Sequence, residues 1–161
     1  MENESKDFLK EGMKQYQTAL EMVNAFYKEI TNKLHDVLEH HNNWGIFIPE
    51  KDAKIKSTNS AQEYAWMNAT LPGKIENENG TVEIQIDWYG SKKEYPYYMV
   101  RFIYTNCKDH IQKLQKANFE KYQFYKNQSG DGIMFQPNPE DFNIEKDFEE
   151  MISEFIGVIS K

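Results

Sequence analysis

Glu83, Gln85 and Asp87 occupy every second position of the run Thr81–Tyr89, so a β-strand would project all three side chains from one face. Two carboxylates held that way can fix a divalent cation. A metal-dependent phosphodiester hydrolase would add a lysine, in a Glu-x-Lys pattern, to orient the attacking water. The nearest pattern here is Glu83-Ile84-Gln85, in which the lysine is missing. The same residues are also the wet half of an amphipathic strand, a reading that needs no chemistry. A nuclease-like hydrolase using Glu83 and Asp87 is therefore the enzymatic alternative for this chain.

A second cluster joins His35, Asp36, Glu39 and His40, with His35/Glu39 and Asp36/His40 each four apart, as metal ligands on one helix can be. The His-Glu-x-x-His pattern of zinc peptidases is absent, and polar or cationic groups suit the carbonyl end of a helix on their own account. No metal site is expected. Cys107 and His110 fall at the start of a short helix, where a thiol can be activated, but no oxyanion-hole motif accompanies them. Gly130-Asp131-Gly132 is too short to cradle a phosphate and reads as a turn. No motif asks for a cofactor.

Aromatic side chains make the better binding candidates. Trp66, Tyr89, Tyr95 and Tyr97, with Arg101 nearby in sequence, are residue types that dominate interaction hot spots, although cross-strand aromatic pairs also stabilise sheets without a ligand.

These residues need a scaffold, and its plainest element is a helix from about Ser5 to His41. Leu9, Met13, Tyr16, Leu20, Val23, Tyr27, Ile30, Leu34 and Val37 alternate steps of four and three, a 3.5-residue repeat that calls for a covering helix. Trp44–Ile48 reads as a short apolar strand or a buried tail to the helix, stopped by Pro49, and the lysine-rich stretch Glu50–Asn59 as a surface loop. Ser60-Ala61-Gln62-Glu63 fits a capping box, predicting a short helix through Met67 that Leu71-Pro72-Gly73 closes. Val82, Ile84, Ile86 and Trp88 alternate with polar neighbours, and Asn79-Gly80 supplies a hairpin turn toward Lys74–Glu76. The run Tyr97–Tyr104 is apolar on both faces and reads as a central strand.

A helix over Lys108–Asn118, with Ile111 and Leu114 inward, and a hairpin from Tyr122–Tyr125 to Ile133–Phe135 follow. The chain ends in a helix whose Phe148, Met151, Ile152, Phe155, Ile156 and Ile159 form a broad apolar face, its start sought around Asn138–Asp141. The expected architecture is a single α+β domain over residues 1–161: an antiparallel sheet of about five strands with the N-terminal and C-terminal helices packed on one face.

Composition narrows the function. A chain of 161 residues can bury a core unaided, and 14% aromatic residues supply large buried surfaces despite a mean hydropathy of -0.82. The net charge of -7 repels phosphate backbones, so nucleic acid is a poor partner. The polar stretch Met1–Lys10 lacks the build of a secretory signal, no segment is apolar enough to span a bilayer, and a single cysteine excludes an internal disulfide. The Asn-x-Ser/Thr triplets at Asn68, Asn79 and Asn127 are then chance matches. The expectation is a non-enzymatic cytoplasmic interaction module of the inhibitor, chaperone or immunity type, without a membrane, that binds a protein partner or forms a homodimer. In outline, with no shared motif, the long helix, antiparallel strands and acidic charge resemble those of secretion-chaperone dimers.

Overall fold

The computed structural model describes residues 2–50, 52, 54–59, 64–91, 97–106, 108–127, 130–135, 141 and 143–161. The chain divides into two compact units, Met1–Ile30 and Thr31–Lys161. The first is a single stretch of helix. Helix α1 runs Glu2–His40 and its last ten residues belong to the second unit.

The second unit is a layered α+β structure. After α1 come β1 (Phe47–Pro49), β2 (Lys54–Asn59), β3 (Tyr64–Ile75), β4 (Thr81–Ser91), β5 (Tyr97–Thr105), α2 (Lys108–Lys116), β6 (Gln123–Asn127), β7 (Gly130–Phe135) and α3 (Ile144–Ile159). All pairings among the described residues are antiparallel. The strands β3, β4, β5 and β7 form the continuous body of the sheet, flanked by the outer strands β1, β2 and β6. Four strands rather than the five expected make up that body, and two segments read as loop and helix pair as strands within the sheet.

One of them is Lys54–Asn59, expected as a loop, which lies antiparallel to Ala65–Thr70 of β3, in the register Lys54↔Thr70 to Asn59↔Ala65. Its lysine-rich sequence suits an outer strand, where charge discourages further pairing. The other is Tyr64–Met67, expected as helix, which is the start of the 12-residue β3. Met67, Ala69 and Leu71 alternate with Trp66, Asn68 and Thr70, a period of two that outweighs the local capping signal. Residues Ser60–Glu63 lie outside the described residues.

Leu71-Pro72-Gly73, expected to close a helix, sits inside β3 instead. The Pro72 carbonyl accepts the Glu50 amide at 3.0 Å, and the ring's missing N–H faces the same edge, in the gap between the end of β1 and the start of β2. At Gly73 an added Cβ would run into the Phe47 ring and the Ile48 carbonyl, which explains the glycine. Gly130-Asp131-Gly132, expected as a turn, is the first half of β7, in which Asp131 and Gly132 pair with Phe102 and Arg101 of β5. In the β3–β4 hairpin the left-handed residue is Asn77, with φ 62°, ahead of the Asn79-Gly80 pair.

The core lies between the sheet and α3. Val82, Ile84, Ile86 and Trp88 of β4 and Tyr98, Val100 and Phe102 of β5 are buried on one face, and α3 buries the six apolar residues expected of it. Phe102 meets Phe155 edge-on with centroids 6.2 Å apart, and Tyr98 meets Phe148 at 5.6 Å. Ile111 and Leu114 of α2 are buried as expected. Helix α3 begins later than sought: Asn143 is its N-cap, its Oδ1 accepting the Lys146 amide at 2.8 Å while Asp147 Oδ2 accepts the Asn143 amide at 2.8 Å. Residues Asn138–Glu140 lie outside the described residues.

The end of α1 packs within this unit through buried Leu34, Val37 and Leu38. Lys33 Nζ is 3.8 Å from Glu145 Oε1 on α3, a weak, exposed pair. The seam of α1 is covered over only part of its length. Leu34 and Val37 are covered, whereas Leu9, Met13, Tyr16, Leu20 and Val23 are exposed. Among the described residues no helix is long and apolar enough to cross a membrane.

Candidate functional site

Two surfaces gather the side chains capable of function. The first is the sheet face turned away from α3. Cross-strand register sets Trp66, Tyr89 and Tyr97 in one row, Asn68, Asp87 and Met99 in the next, and Thr70, Gln85 and Arg101 in a third, followed by Pro72, Glu83 and Ile103. Glu83, Gln85, Asp87 and Arg101, together with the binding candidates Trp66 and Tyr89, thus share one face, with Tyr97 at the register position opposite Tyr89. Tyr95 lies outside the described residues.

This face is not wet along β4, as its alternation suggested. Gln85 is buried, Asp87 is 2% exposed, and Asn68 and Thr70 beside them are buried too, while Glu83, Trp66 and Tyr89 are half-buried. Alternation marks two faces of a strand but does not say that the polar one meets water.

Burial drives the chemistry of Asp87. Desolvation lifts its carboxyl from 3.8 to about 6, against the Arg101 guanidinium and the polar groups of Asn68 and Trp66, which pull it back down. Arg101 Nη2 stands 3.3 Å from Asp87 Oδ2. Among the described residues, both Asp87 oxygens, Asn68 Oδ1 and Arg101 Nε are buried without a partner in good hydrogen-bond geometry. Gln85 is engaged along its own strand, donating from Nε2 to Glu83 Oε1 at 2.6 Å. The cluster is a buried polar layer between β3, β4 and β5, in which burial lifts the Asp87 carboxyl above the usual carboxylate range while the Arg101 guanidinium lies against one of its oxygens.

The other sequence candidates separate in space. His35 Nε2 is 3.6 Å from Glu39 Oε1 and its Nδ1 4.0 Å from Asp36 Oδ1, while His40 Nδ1 lies 3.0 Å from the Asp36 carbonyl, a local helix-end network. Among the described residues no three His, Cys, Asp or Glu side chains converge as a metal set. His110 reaches in two directions, with Nε2 3.1 Å from Glu78 Oε1 and Nδ1 3.3 Å from the Ile159 carbonyl, so it ties α2 to the β3–β4 hairpin and to the end of α3. Cys107 lies outside the described residues.

The second surface belongs to the first unit, where Phe8, Leu9, Met13, Tyr16, Leu20, Met22, Val23 and Phe26 are between 38% and 77% exposed. On a helix with 100° per residue they cover roughly half the circumference, and the polar half carries Lys6, Asp7, Lys10, Lys14, Glu21 and Lys28. Phe8, Met22 and Phe26 fall off the 3.5-residue seam and widen it; sequence reading that tracks only the strict repeat passes over them. A helix rarely keeps so many large apolar side chains in water without a use, since its stability depends on burying that face.

Compared with known proteins, the chain matches no protein-family model, no curated protein and no solved structure.

Proposed function

We propose that this chain is a non-enzymatic, cytoplasmic protein-interaction module whose contact surface is the apolar face of α1 between Phe8 and Phe26. The observation that carries this reading is the exposure of eight large apolar side chains on one half of that helix. The inhibitor, chaperone and immunity classes all work by presenting such a preformed surface, and the acidic charge of -7 is compatible with a soluble binder and unfavourable for nucleic acid. The hydrolase alternative is weakened by the Arg101 guanidinium beside Asp87 Oδ2 and by the hydrogen bond that Glu83 Oε1 accepts from Gln85.

Photo-crosslinking tests the reading directly. A photoreactive amino acid at Met13 or Met22 should give discrete adducts in the cells that make the protein, and one at Lys14, on the polar half, should give none. Absence of adducts from the apolar positions, or equal labelling from both halves, would overturn it.

A further inference from the structure

Resting on that reading, we infer that the occupant of the α1 face is a second copy of this chain, laid against it as an antiparallel two-stranded coiled coil over Leu9–Tyr27. Four properties of the segment point to self-pairing. The first is its repeat: Met13, Leu20 and Tyr27 alternate with Leu9, Tyr16 and Val23 in strict four-three steps, the 3.5-residue period that keeps two helices in contact as they supercoil.

Its charge agrees. Residues 5–30 carry Lys6, Lys10, Lys14 and Lys28 against Asp7, Glu11, Glu21 and Glu29, so this stretch is neutral in a chain of net charge -7 and two copies meet without repulsion. Area agrees as well. The exposed parts of Leu9, Met13, Tyr16, Leu20, Val23 and Phe26, the six that such a pair would cover, amount to roughly 500–600 Å² per copy, at the lower end of specific interfaces when both copies are counted.

Orientation follows from side-chain size. With Tyr16 opposite Leu20 of the second copy, an antiparallel pair sets Leu9 against Tyr27 and Met13 against Val23, so each ring faces an aliphatic residue. Along one flank the same alignment sets Gly12 against Phe26 and Ala19 against the other Ala19, small against large and small against small. A parallel pair in register would instead stack Tyr16 on Tyr16, Tyr27 on Tyr27 and Lys6 on Lys6. A two-fold closed dimer is the simplest assembly that covers both faces.

Light scattering on the full chain should give twice the 19.1 kDa mass, and Leu20→Asp should return it to 19.1 kDa with the near-ultraviolet circular dichroism of the remaining protein unchanged. Spin labels on Ser5→Cys, in a Cys107→Ser background, should lie roughly 40 Å apart across the dimer, at 1.5 Å of rise per residue. A separation under about 20 Å means a parallel pair and overturns the arrangement. A monomer mass at 0.1 mM, or a dimer that Leu20→Asp does not split, overturns the self-pairing. The crosslinking above then separates the two levels: adducts to a different protein leave the interaction surface standing and refute the second copy, whereas no adducts refute both.

Discussion

His41 Nδ1 stands 2.6 Å from Glu149 Oε1, with its other ring nitrogen 2.7 Å from the Asn43 carbonyl, so one buried imidazole links the exit of α1 to the middle of α3. Trp44 closes over the ring edge-on at 4.3 Å. Glu149→Ala removes the acceptor from a buried nitrogen, and because the carboxylate is partly in water the expected loss is about 1 kcal/mol. Glu149→Gln, which keeps an oxygen in place, should lose less. Urea unfolding of both variants measures the difference, and equal losses would show that the link is not a hydrogen bond.

Asp87 makes stability depend on pH with an unusual sign. Its folded value of about 6 lies above the ordinary 3.8, so between those limits the native protein holds a proton that the unfolded chain has released. Its contribution is fully present below about pH 4, declines as pH rises to about 6 and is flat beyond. Asp87→Asn removes this dependence. Relative to the parent, that variant should gain about 2–3 kcal/mol on going from pH 4 to pH 7, read from urea melts at the two pH values. A difference independent of pH would mean that the carboxyl titrates normally.

Phe155 is the aromatic hub of the core, with Phe102, Phe119 and Tyr122 ring centroids 6.2, 5.1 and 5.3 Å away. Phe155→Ala should cost about 3–5 kcal/mol, through lost transfer energy and the cavity left among rings that cannot all close in. Leu9→Ala, on the exposed part of α1, should leave the denaturation midpoint of Thr31–Lys161 unchanged. Thermal unfolding followed by near-ultraviolet circular dichroism reports this comparison.

Gly45 holds a φ of +54° where the chain turns from α1 into β1, and an added Cβ would press on Ser160 Oγ and lie 3.0 Å from Ile156 Cγ2. That same Ser160 Oγ accepts the Ile46 amide at 3.3 Å. Gly45→Ala should therefore cost about 1–3 kcal/mol, combining left-handed strain with the displacement of Ser160. Differential scanning calorimetry would show it as a lowered Tm, and an unchanged Tm would mean that the turn relaxes freely.

The hydrolase alternative has its own measurement. Millimolar magnesium or manganese should not raise the Tm, because Arg101 already sits on the Asp87 carboxylate. A metal-dependent rise that Asp87→Ala abolishes would revive the enzymatic reading.

The legible parts of this fold are those whose pattern has one period over a long run. The six-residue apolar face of α3 and the alternation of Val82–Trp88 and Tyr98–Phe102 lead directly to the elements and to their buried sides. Tyr64–Met67 misleads because a capping signal upstream is local information, while β3 is stabilised by neighbours on both sides that only the folded sheet supplies. Lys54–Asn59 misleads for a related reason: an outer strand has no apolar pattern to display. Of the candidate site, the strand positions of Tyr89 and Tyr97 can be anticipated from periodicity, whereas Trp66, expected on a helix, joins their row only through the register of β3 with β4. The burial of Asp87 cannot, since the same Glu-x-Gln-x-Asp spacing describes a strand face in water and one enclosed with Arg101. For α1 the repeat is plain in the sequence, but how far along the helix its cover extends is a property of the rest of the chain.

The gap at Pro72 divides one edge of β3 between two short partners, so the connection from Pro49 to Lys54 is not obliged to keep a fixed length for either pairing to form. Lengthening such a connection costs little, since closure entropy grows only logarithmically. This edge is accordingly the natural place to graft an epitope or a fluorophore-binding peptide, giving a handle on the second unit that leaves both the apolar half of α1 and the β3–β4–β5 body untouched.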